Sequence, residues 1–178
     1  MPNINRMGTP YVSTGNPDSV NDASLYAGGE LGVAYDENDR TYQIVKLDSG
    51  ATAAASLLPA ANQLLYWKDR ANYIVTNDIN QAKGKSAANS AFRNQVAGIL
   101  RNAATPGYYI HMLIRGRKIA VKSTEANATI GYAMVSDTTN TAVSVAAGTA
   151  PTVRPIGYQA ATGTGAYVYT DVDLTNIP

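Results

Sequence analysis

The sequence predicts a mainly β protein, a sandwich or small barrel assembled from hairpins, with an extended N-terminal arm and at most one or two short helices. Three observations support this prediction. Short runs rich in β-forming residues are separated by turn residues at short intervals. A weak repeat relates five segments of the chain. The first 22 residues follow neither a period of 2 nor one of 3.6, so they lack the pattern of a strand or a helix.

Residues 1–22 are the predicted arm. They hold three prolines and two glycines among isolated apolar residues, and such a stretch cannot bury enough surface to offset its own ordering entropy. It is either a frayed terminus or an arm that becomes ordered against a partner. In the second interpretation the candidate contacts are Ile4, Arg6, Met7, Tyr11 and Val12.

From residue 23 onward the chain favours strands. The clearest are segments 108–114 and 166–174, and the shorter runs RTYQIVKL, ANYIVT, KIAVK and TAVSV are also rich in β-formers. Alternation in the segment 166–174 predicts two faces. Ala166, Val168, Thr170, Val172 and Leu174 share one face, and Tyr167, Tyr169, Asp171 and Asp173 share the other.

Five segments repeat a spacing of ten residues between a first position and the start of a β-rich run. The pairs are Gly32 and Tyr42, Gly98 and Tyr108, Gly131 and Thr141, Gly157 and Tyr167, and a degenerate copy with Gln63 and Tyr73. We interpret each copy as a hairpin in which the glycine serves a bulge or a close backbone approach. Chance alignment in a chain rich in glycine and tyrosine is the alternative.

The domain organisation follows from the arm and the repeat. Residues 23–178 are expected to form one β-rich domain, either undivided or as two tandem sub-repeats of about 23–115 and 116–178. Two stretches fit either a helix or a loop: the alanine-rich segment 48–62 and the polar segment 76–94.

Composition excludes several functional classes. The chain has 178 residues, a net charge of +1 and no cysteine. A dedicated nucleic-acid binder usually carries a basic excess, and thiolate metal sites and cysteine nucleophiles require cysteine. The sequence has neither an apolar run long enough to span a membrane nor an apolar leader at its start. We therefore expect no nucleic-acid or membrane partner and synthesis in a cytoplasm.

Catalytic patterns are also weak. Gly84-Lys85-Ser86 resembles the end of a phosphate-binding loop, but Ile79 stands where that motif requires its first glycine. His111 is the single histidine, and we expect it to be hydrogen-bonded or interfacial. These features predict a protein that is not an enzyme and has no cofactor.

Basic residues concentrate in the segment 115–122, where Arg115, Arg117 and Lys118 are candidate partner contacts. We favour an exposed hairpin for this segment, with a contact to an acidic protein surface and nucleic-acid binding as alternatives. As a strand, it would place Arg117, Ile119 and Val121 on one face.

Tyrosine is the most informative residue type. The chain has 12 Tyr against one Phe and one Trp. Tyrosine combines an apolar ring with a polar tip and is enriched at partly hydrated interfaces. The alternative is ordinary strand tyrosine at barrel rims and turns. We favour an interface role.

The C-terminal segment 120–174 contains a phrase that runs from Ile156-Gly157-Tyr158 through Gly163-Thr164-Gly165 to Tyr167, Val168, Val172 and Leu174. With this phrase, the segment resembles the small head decoration, or cement, proteins of tailed bacteriophages. An earlier copy runs from Val96-Ala97-Gly98-Ile99 through Pro106-Gly107 to Tyr108, Ile110 and Met112. The resemblance as a whole covers about two thirds of the chain.

This resemblance implies a barrel-like or β-tulip domain that forms a homotrimer on the outer surface of a phage capsid. The partner would be the major capsid protein, whose neighbouring subunits the trimer would bridge in the virion. The arm residues and Arg115, Arg117 and Lys118 are the candidate contacts. A carbohydrate- or receptor-binding module of a fibre or adhesin is the alternative function.

Overall fold

A computed structural model describes ten segments of the chain, namely residues 17–23, 31–50, 59–82, 96–123, 125, 129–137, 141–145, 148–151, 153–162 and 166–175. The predicted fold class is confirmed, since the protein is mainly β and contains a closed barrel of five strands. The helices of the described segments are two single 3-10 turns, Pro17–Ser19 and Ile79–Gln81.

Eleven strands build one continuous sheet. They are β1 Asn21–Asp22, β2 Ala34–Glu37, β3 Arg40–Leu47, β4 Gln63–Asp69, β5 Ile74–Thr76, β6 Val96–Leu100, β7 Tyr109–Lys122, β8 Ala133–Ser136, β9 Ala142–Ser144, β10 Pro155–Ala161 and β11 Tyr167–Asp173. The order along the sheet is β2-β3-β5-β4-β6-β7-β11-β10-β8-β9, and β1 pairs with β7. All strand pairs are antiparallel except β3 with β5.

The barrel consists of β3, β5, β4, β6 and β7. It closes because β7 pairs with both β6 and β3, so that Lys46 lies opposite Tyr109 and Thr41 opposite Arg115. Side chains fill its interior, as in other small barrels. The barrel strands are buried on both faces, because neighbours such as Leu64 and Leu65 point to opposite sides of the sheet. The fully buried side chains of these strands include Leu47, Leu64, Leu65, Ile99, Ile110, Met112 and Leu113. Burying each such side chain contributes about 2 kcal/mol, so the barrel is the main core of the molecule.

Strand β7 is 14 residues long and joins two parts of the molecule. Its first half closes the barrel, and its second half pairs with β11. We call the second half of β7, together with β11, β10, β8 and β9 and the turn before β8, the outer sheet. The suggested sub-repeat boundary between residues 115 and 116 falls inside β7, so the barrel and the outer sheet share this strand.

The segment 115–122 is therefore a paired strand, and the expectation of an exposed hairpin there is wrong. The expected face is also wrong, because Arg117 is exposed while Ile119 and Val121 are buried. The cause is an irregularity at Lys118, which has a φ of 48°. It places Arg117 and Lys118 both toward solvent and shifts the alternation of the following residues, as a β-bulge does.

The predicted hairpins are confirmed. The five copies of the repeat fall on consecutive antiparallel pairs, β2–β3, β4–β5, β6–β7, β8–β9 and β10–β11. The glycines, however, serve two different purposes. Gly32 and Gly131 occupy turns two residues before a strand, with φ of 84° and 86°, whereas Gly98 and Gly157 lie inside strands.

Both strand glycines allow a close approach of a neighbouring strand. A Cβ added at Gly98 would lie 2.4 Å from Met112 Cγ and 2.7 Å from the carbonyl oxygen of Leu113. One added at Gly157 would lie 1.9 Å from the carbonyl oxygen of Asp171. Neither site accepts a side chain without moving the adjacent strand.

The alternation predicted for β11 is also confirmed. Tyr167, Tyr169, Asp171 and Asp173 are exposed, and Val168, Thr170 and Val172 are buried. Leu174 continues the buried side at 3% exposure. Ala166, which was expected there too, precedes the strand and is exposed.

The first strand and the 3-10 turn before it lie against the barrel. Residues 17–22, which the sequence placed in the arm, include the buried Val20 and the two residues of β1, paired with Tyr109 and Ile110 of β7. Residues 1–16 lie outside the described segments. Two stretches were predicted as either helix or loop. In the second, 76–94, Thr76 ends β5 and Ile79–Gln81 forms a 3-10 turn. Residues 51–58 of the first stretch and 83–94 of the second also lie outside the described segments.

Candidate functional site

One surface of the outer sheet exposes large apolar side chains. Across the described segments, the exposed large hydrophobic residues are Ile130 (60%), Tyr158 (59%), Tyr167 (38%) and Tyr169 (38%). All four belong to the outer sheet, and we call them the tyrosine face. A cluster of this kind indicates a contact site, because exposed apolar residues on a surface without a partner are normally scattered one by one.

Strand geometry sets the positions of the three tyrosines. Tyr167 and Tyr169 are two residues apart on β11, so their side chains point the same way about 7 Å from each other. Tyr158 on β10 lies opposite Asp171 of β11 and Ala133 of β8. The aromatic rings therefore stand on neighbouring strands of the same sheet.

Ile130 is held beside these strands by backbone hydrogen bonds. The N–H of Gly131 donates to the carbonyl of Gln159 at 2.8 Å, and the N–H of Gln159 donates to the carbonyl of Tyr132 at 2.9 Å. These bonds tie the turn before β8 to β10. The exposed Ile130 therefore lies at the edge of the outer sheet, next to β10.

Charged residues of both signs border the tyrosine face. Arg115 lies opposite Asp173, and the backbone N–H of Lys118 donates to Asp171 Oδ1 at 2.8 Å. The hydroxyl and backbone N–H of Thr175 donate to Asp173 and lower the pKa of its carboxyl group, and the nearby Arg115 acts in the same direction. The border is consequently mixed in charge.

Three predicted contacts lie on this border. Arg115, Arg117 and Lys118 are all exposed on the outer sheet, where Asp171 and Asp173 offset their charge. The predicted arm contacts Ile4, Arg6, Met7, Tyr11 and Val12 lie outside the described segments.

The tyrosines of the repeat have different environments. Tyr167 belongs to the tyrosine face, whereas Tyr42 is buried, Tyr73 is half-buried at one end of the barrel and Tyr108 is half-buried just before β7. The repeat therefore identified strand pairs and not a common surface. Sequence reasoning missed Tyr158 as a surface residue, although the tripeptide Ile-Gly-Tyr occurs both at 130–132 and at 156–158 and was the available indication.

A half-buried carboxylate, which sequence reasoning missed, holds the first turn to the barrel. Asp18 accepts hydrogen bonds from Arg40 Nη1 at 3.0 Å and from the hydroxyl of Tyr42 at 2.8 Å. Arg101 Nε lies 3.5 Å from the same carboxylate. Burial raises the pKa of Tyr42 to about 12, so this hydroxyl keeps its proton and donates it to Asp18.

His111 is a core residue. Its side chain is 2% exposed, and its Nδ1 shares a hydrogen bond with the hydroxyl of Tyr35. The Tyr35 ring packs edge-on against the imidazole at 5.3 Å between centroids. Burial lowers the pKa of His111 to about 4, so the imidazole is neutral at pH 7. The expectation of a hydrogen-bonded histidine is confirmed.

Metal ligands do not gather in the segments that the structure describes: no group of three or more His, Asp or Glu side chains there could hold an ion. In the same segments, no helix has the length and apolarity needed to cross a membrane.

Comparison of the sequence with models of protein families and with curated proteins finds no match.

Proposed function

We propose that this chain is a structural protein without catalytic activity that binds the outer surface of a bacteriophage capsid through its tyrosine face. In this role it bridges neighbouring major capsid subunits as a homotrimer and becomes part of the virion. The observation that supports the proposal is the concentration of exposed large apolar residues on the outer sheet. No cofactor is required.

The chemistry of the tyrosine face favours a protein partner. A tyrosine ring supplies apolar contact area with few rotatable bonds, and its hydroxyl remains able to hydrogen-bond at a partly hydrated interface. Truncation of such an anchor typically costs 2 kcal/mol or more of binding free energy, about a 30-fold loss of affinity. Three anchors on adjacent strands are enough for a specific contact.

The border of the tyrosine face argues against a polyanionic partner. Arg115 and Lys118 lie next to Asp171 and Asp173, so a phosphate backbone or an anionic membrane would meet carboxylates as well as cations. A protein surface of mixed polarity can complement both signs. The near-neutral chain, with a net charge of +1, agrees with this choice.

A capsid supplies the repetition that makes modest contacts effective. Many copies that bind one shell, each linked to others through an oligomer, act together with an avidity far above the single affinity. The low charged fraction of 15% suits close packing beside neighbours. The resemblance of segment 120–174 to phage decoration proteins supports the choice of a capsid among protein partners.

Cosedimentation with expanded capsids that lack this protein tests the proposal. We expect the wild-type chain to pellet with the shells, and the double variant with Tyr158→Ser and Tyr169→Ser to bind at least tenfold more weakly. Glu37→Gln, on β2 and away from the outer sheet, is the control and should bind like wild type. Light scattering should give three times the chain mass of 18.8 kDa.

Two results would contradict the proposal. Full capsid binding by the double tyrosine variant would show that the tyrosine face is not the contact. Absence of capsid binding, together with glycan-array binding that depends on the same tyrosines, would instead favour the carbohydrate- or receptor-binding alternative. Circular dichroism of each variant shows that the fold is intact.

A further inference from the structure

A cavity opens at one end of the barrel, where β4 ends and β6 begins. Its volume is about 600 Å³, within the range of sites for small ligands, which commonly lie in the mouths of barrels. Its walls come from the β2–β3 hairpin, the turn between β4 and β5, and the residues that follow β11. No residue of the tyrosine face lines it, so the two sites are separate.

The floor of the cavity is apolar. Trp67, Ala97, Ile114 and Leu174 line it, and each is buried. Tyr73 is half-buried and completes one wall. Such a floor receives a ligand with exposed C–H groups.

The rim supplies hydrogen-bond acceptors. The side-chain amide of Gln43 donates to the carbonyl of Gly32 at 2.8 Å. The hydroxyl of Thr41 donates to Asp36 at 2.6 Å, and that of Thr175 donates to Asp173 at 2.7 Å. Because these protons are engaged within the protein, the side-chain oxygens of the rim residues Thr41, Gln43 and Thr175 offer acceptor lone pairs toward a ligand.

Donors come from the guanidinium of Arg70, which lines the cavity 5.9 Å from the centroid of the Trp67 ring. Trp67 is 4% exposed, and its indole Nε1 is buried below the cavity surface, so this residue contributes its ring to the floor. The cavity therefore combines acceptors, donors and an apolar floor.

The wall formed by Tyr73 is held in an unusual conformation. Tyr73 has a φ of 52°, a left-handed conformation that costs a bulky residue about 1–2 kcal/mol. Its ring covers Gly32, where an added Cβ would lie 2.1 Å from Tyr73 Cζ. Strain of this kind concentrates at binding sites, where it fixes a side chain in advance of the ligand.

We propose that the barrel-mouth cavity binds a saccharide unit. Each sugar hydroxyl both donates and accepts hydrogen bonds, so it can pair with the rim acceptors and with the Arg70 guanidinium, while the C–H groups of the ring rest on the apolar floor and the Trp67 ring. A carboxylate would satisfy the donors but leave the acceptors unpaired. An apolar ligand would satisfy neither, and unpaired polar groups are costly when a ligand covers them.

The single tryptophan provides a direct probe, because its indole N–H gives one identifiable NMR resonance. We would titrate the labelled full chain with glucose, galactose, mannose, N-acetylglucosamine and their β-1,4-linked dimers, up to about 50 mM so as to exceed a millimolar Kd. We expect at least one sugar to shift the Trp67 resonance saturably, and sodium acetate to leave it unchanged. No saturable shift with any sugar, or a shift with acetate alone, would overturn the proposal.

Variants on two different walls locate the site. Gln43→Ala and Thr175→Val each remove one acceptor and should weaken sugar binding about fivefold or more. Thr175 is exposed, so its variant serves if Gln43→Ala fails to fold. Tyr158→Ser should bind sugar normally. Unchanged affinity in a folded rim variant would overturn the proposal, and capsid cosedimentation of these variants reports separately on the proposed function.

Discussion

At the scale of single residues, the buried histidine gives the molecule a pH dependence. His111 has a pKa of about 4 in the folded protein and 6.5 as its ordinary value. Between these values the unfolded chain binds a proton that the folded protein excludes, so the free energy of unfolding decreases as the pH falls. The stability that the neutral imidazole contributes is complete above about pH 6.5 and is lost progressively toward pH 4.

We expect the free energy of unfolding to fall by about 2 kcal/mol between pH 7 and pH 5, as measured by urea denaturation. Most carboxylates remain ionised over this range in both states, so they contribute little to the change. His111→Gln keeps a polar group near Tyr35 but removes the titration. This variant should be less stable at pH 7 and nearly independent of pH, and an equal pH slope in both proteins would contradict the assignment.

At the scale of elements, Gly98 and Gly157 allow the two strands of their hairpins to pack closely. Gly98→Ala and Gly157→Ala should each lower the free energy of unfolding by about 3 kcal/mol, because the added Cβ meets backbone atoms of the paired strand. Gly148→Ala is the matched control, since its Cβ would meet nothing within 4 Å although φ is 77°. It should cost only about 1 kcal/mol. Similar denaturation midpoints for all three variants would show that the strands adjust freely.

The first turn and β1 form a second element whose contribution can be isolated. Two truncated chains, one without residues 1–16 and one without residues 1–22, differ by the segment that contains Asp18 and Val20. We expect the shorter chain to be less stable by about 3 kcal/mol, because it loses the hydrogen bonds of Asp18 to charged and phenolic groups and the burial of Val20.

The single substitution Asp18→Ala should reproduce about half of that difference. Arg40 is partly exposed, so solvent screens the ion pair between Arg40 and Asp18 and reduces its contribution. Urea denaturation of the three proteins provides the comparison. If the two truncated chains are equally stable, the contacts of residues 17–22 contribute nothing net to the fold.

At the scale of the whole molecule, the shared strand predicts cooperative unfolding. Ile156 is fully buried in the outer sheet, and Ile156→Ala should cost about 3 kcal/mol. Because β7 belongs to both parts, the loss should also destabilise the barrel. The fluorescence of Trp67, which lies in β4, should then shift to a lower urea midpoint together with the circular dichroism of the whole chain. A Trp67 transition that stays at its wild-type midpoint would show that the barrel unfolds independently.

Local patterns in the sequence predicted the hairpins and one half of the tyrosine face. Period-2 alternation placed Tyr167 and Tyr169 together, because it depends only on neighbouring residues. The closure of the barrel by β3 and β7 was not predictable in the same way, since these strands are about 70 residues apart and their pairing leaves no local pattern. The irregularity at Lys118 has no indication in composition, because lysine has no preference for positive φ.

The candidate sites show the same division. Asp18 could not be recognised as the link between the first turn and the barrel, because two of its partners, Arg40 and Tyr42, are more than 20 residues away in the sequence. The barrel-mouth cavity combines residues from β3, β4, β6, β7 and the segment after β11. Only the closed barrel brings Gln43, Trp67 and Thr175 together, so no motif in the sequence could predict this cavity.

The continuity of β7 also determines how the molecule would respond to mechanical force. A pull applied at the tyrosine face first loads the hydrogen bonds between β11 and β7. It then passes into the barrel along the covalent backbone of β7. Along its first half, β7 is bonded to β3 over the register from Tyr109 to Arg115. A load parallel to that strand shears these hydrogen bonds simultaneously instead of opening them one after another. The part of the load that reaches the barrel is therefore resisted by all of these hydrogen bonds together.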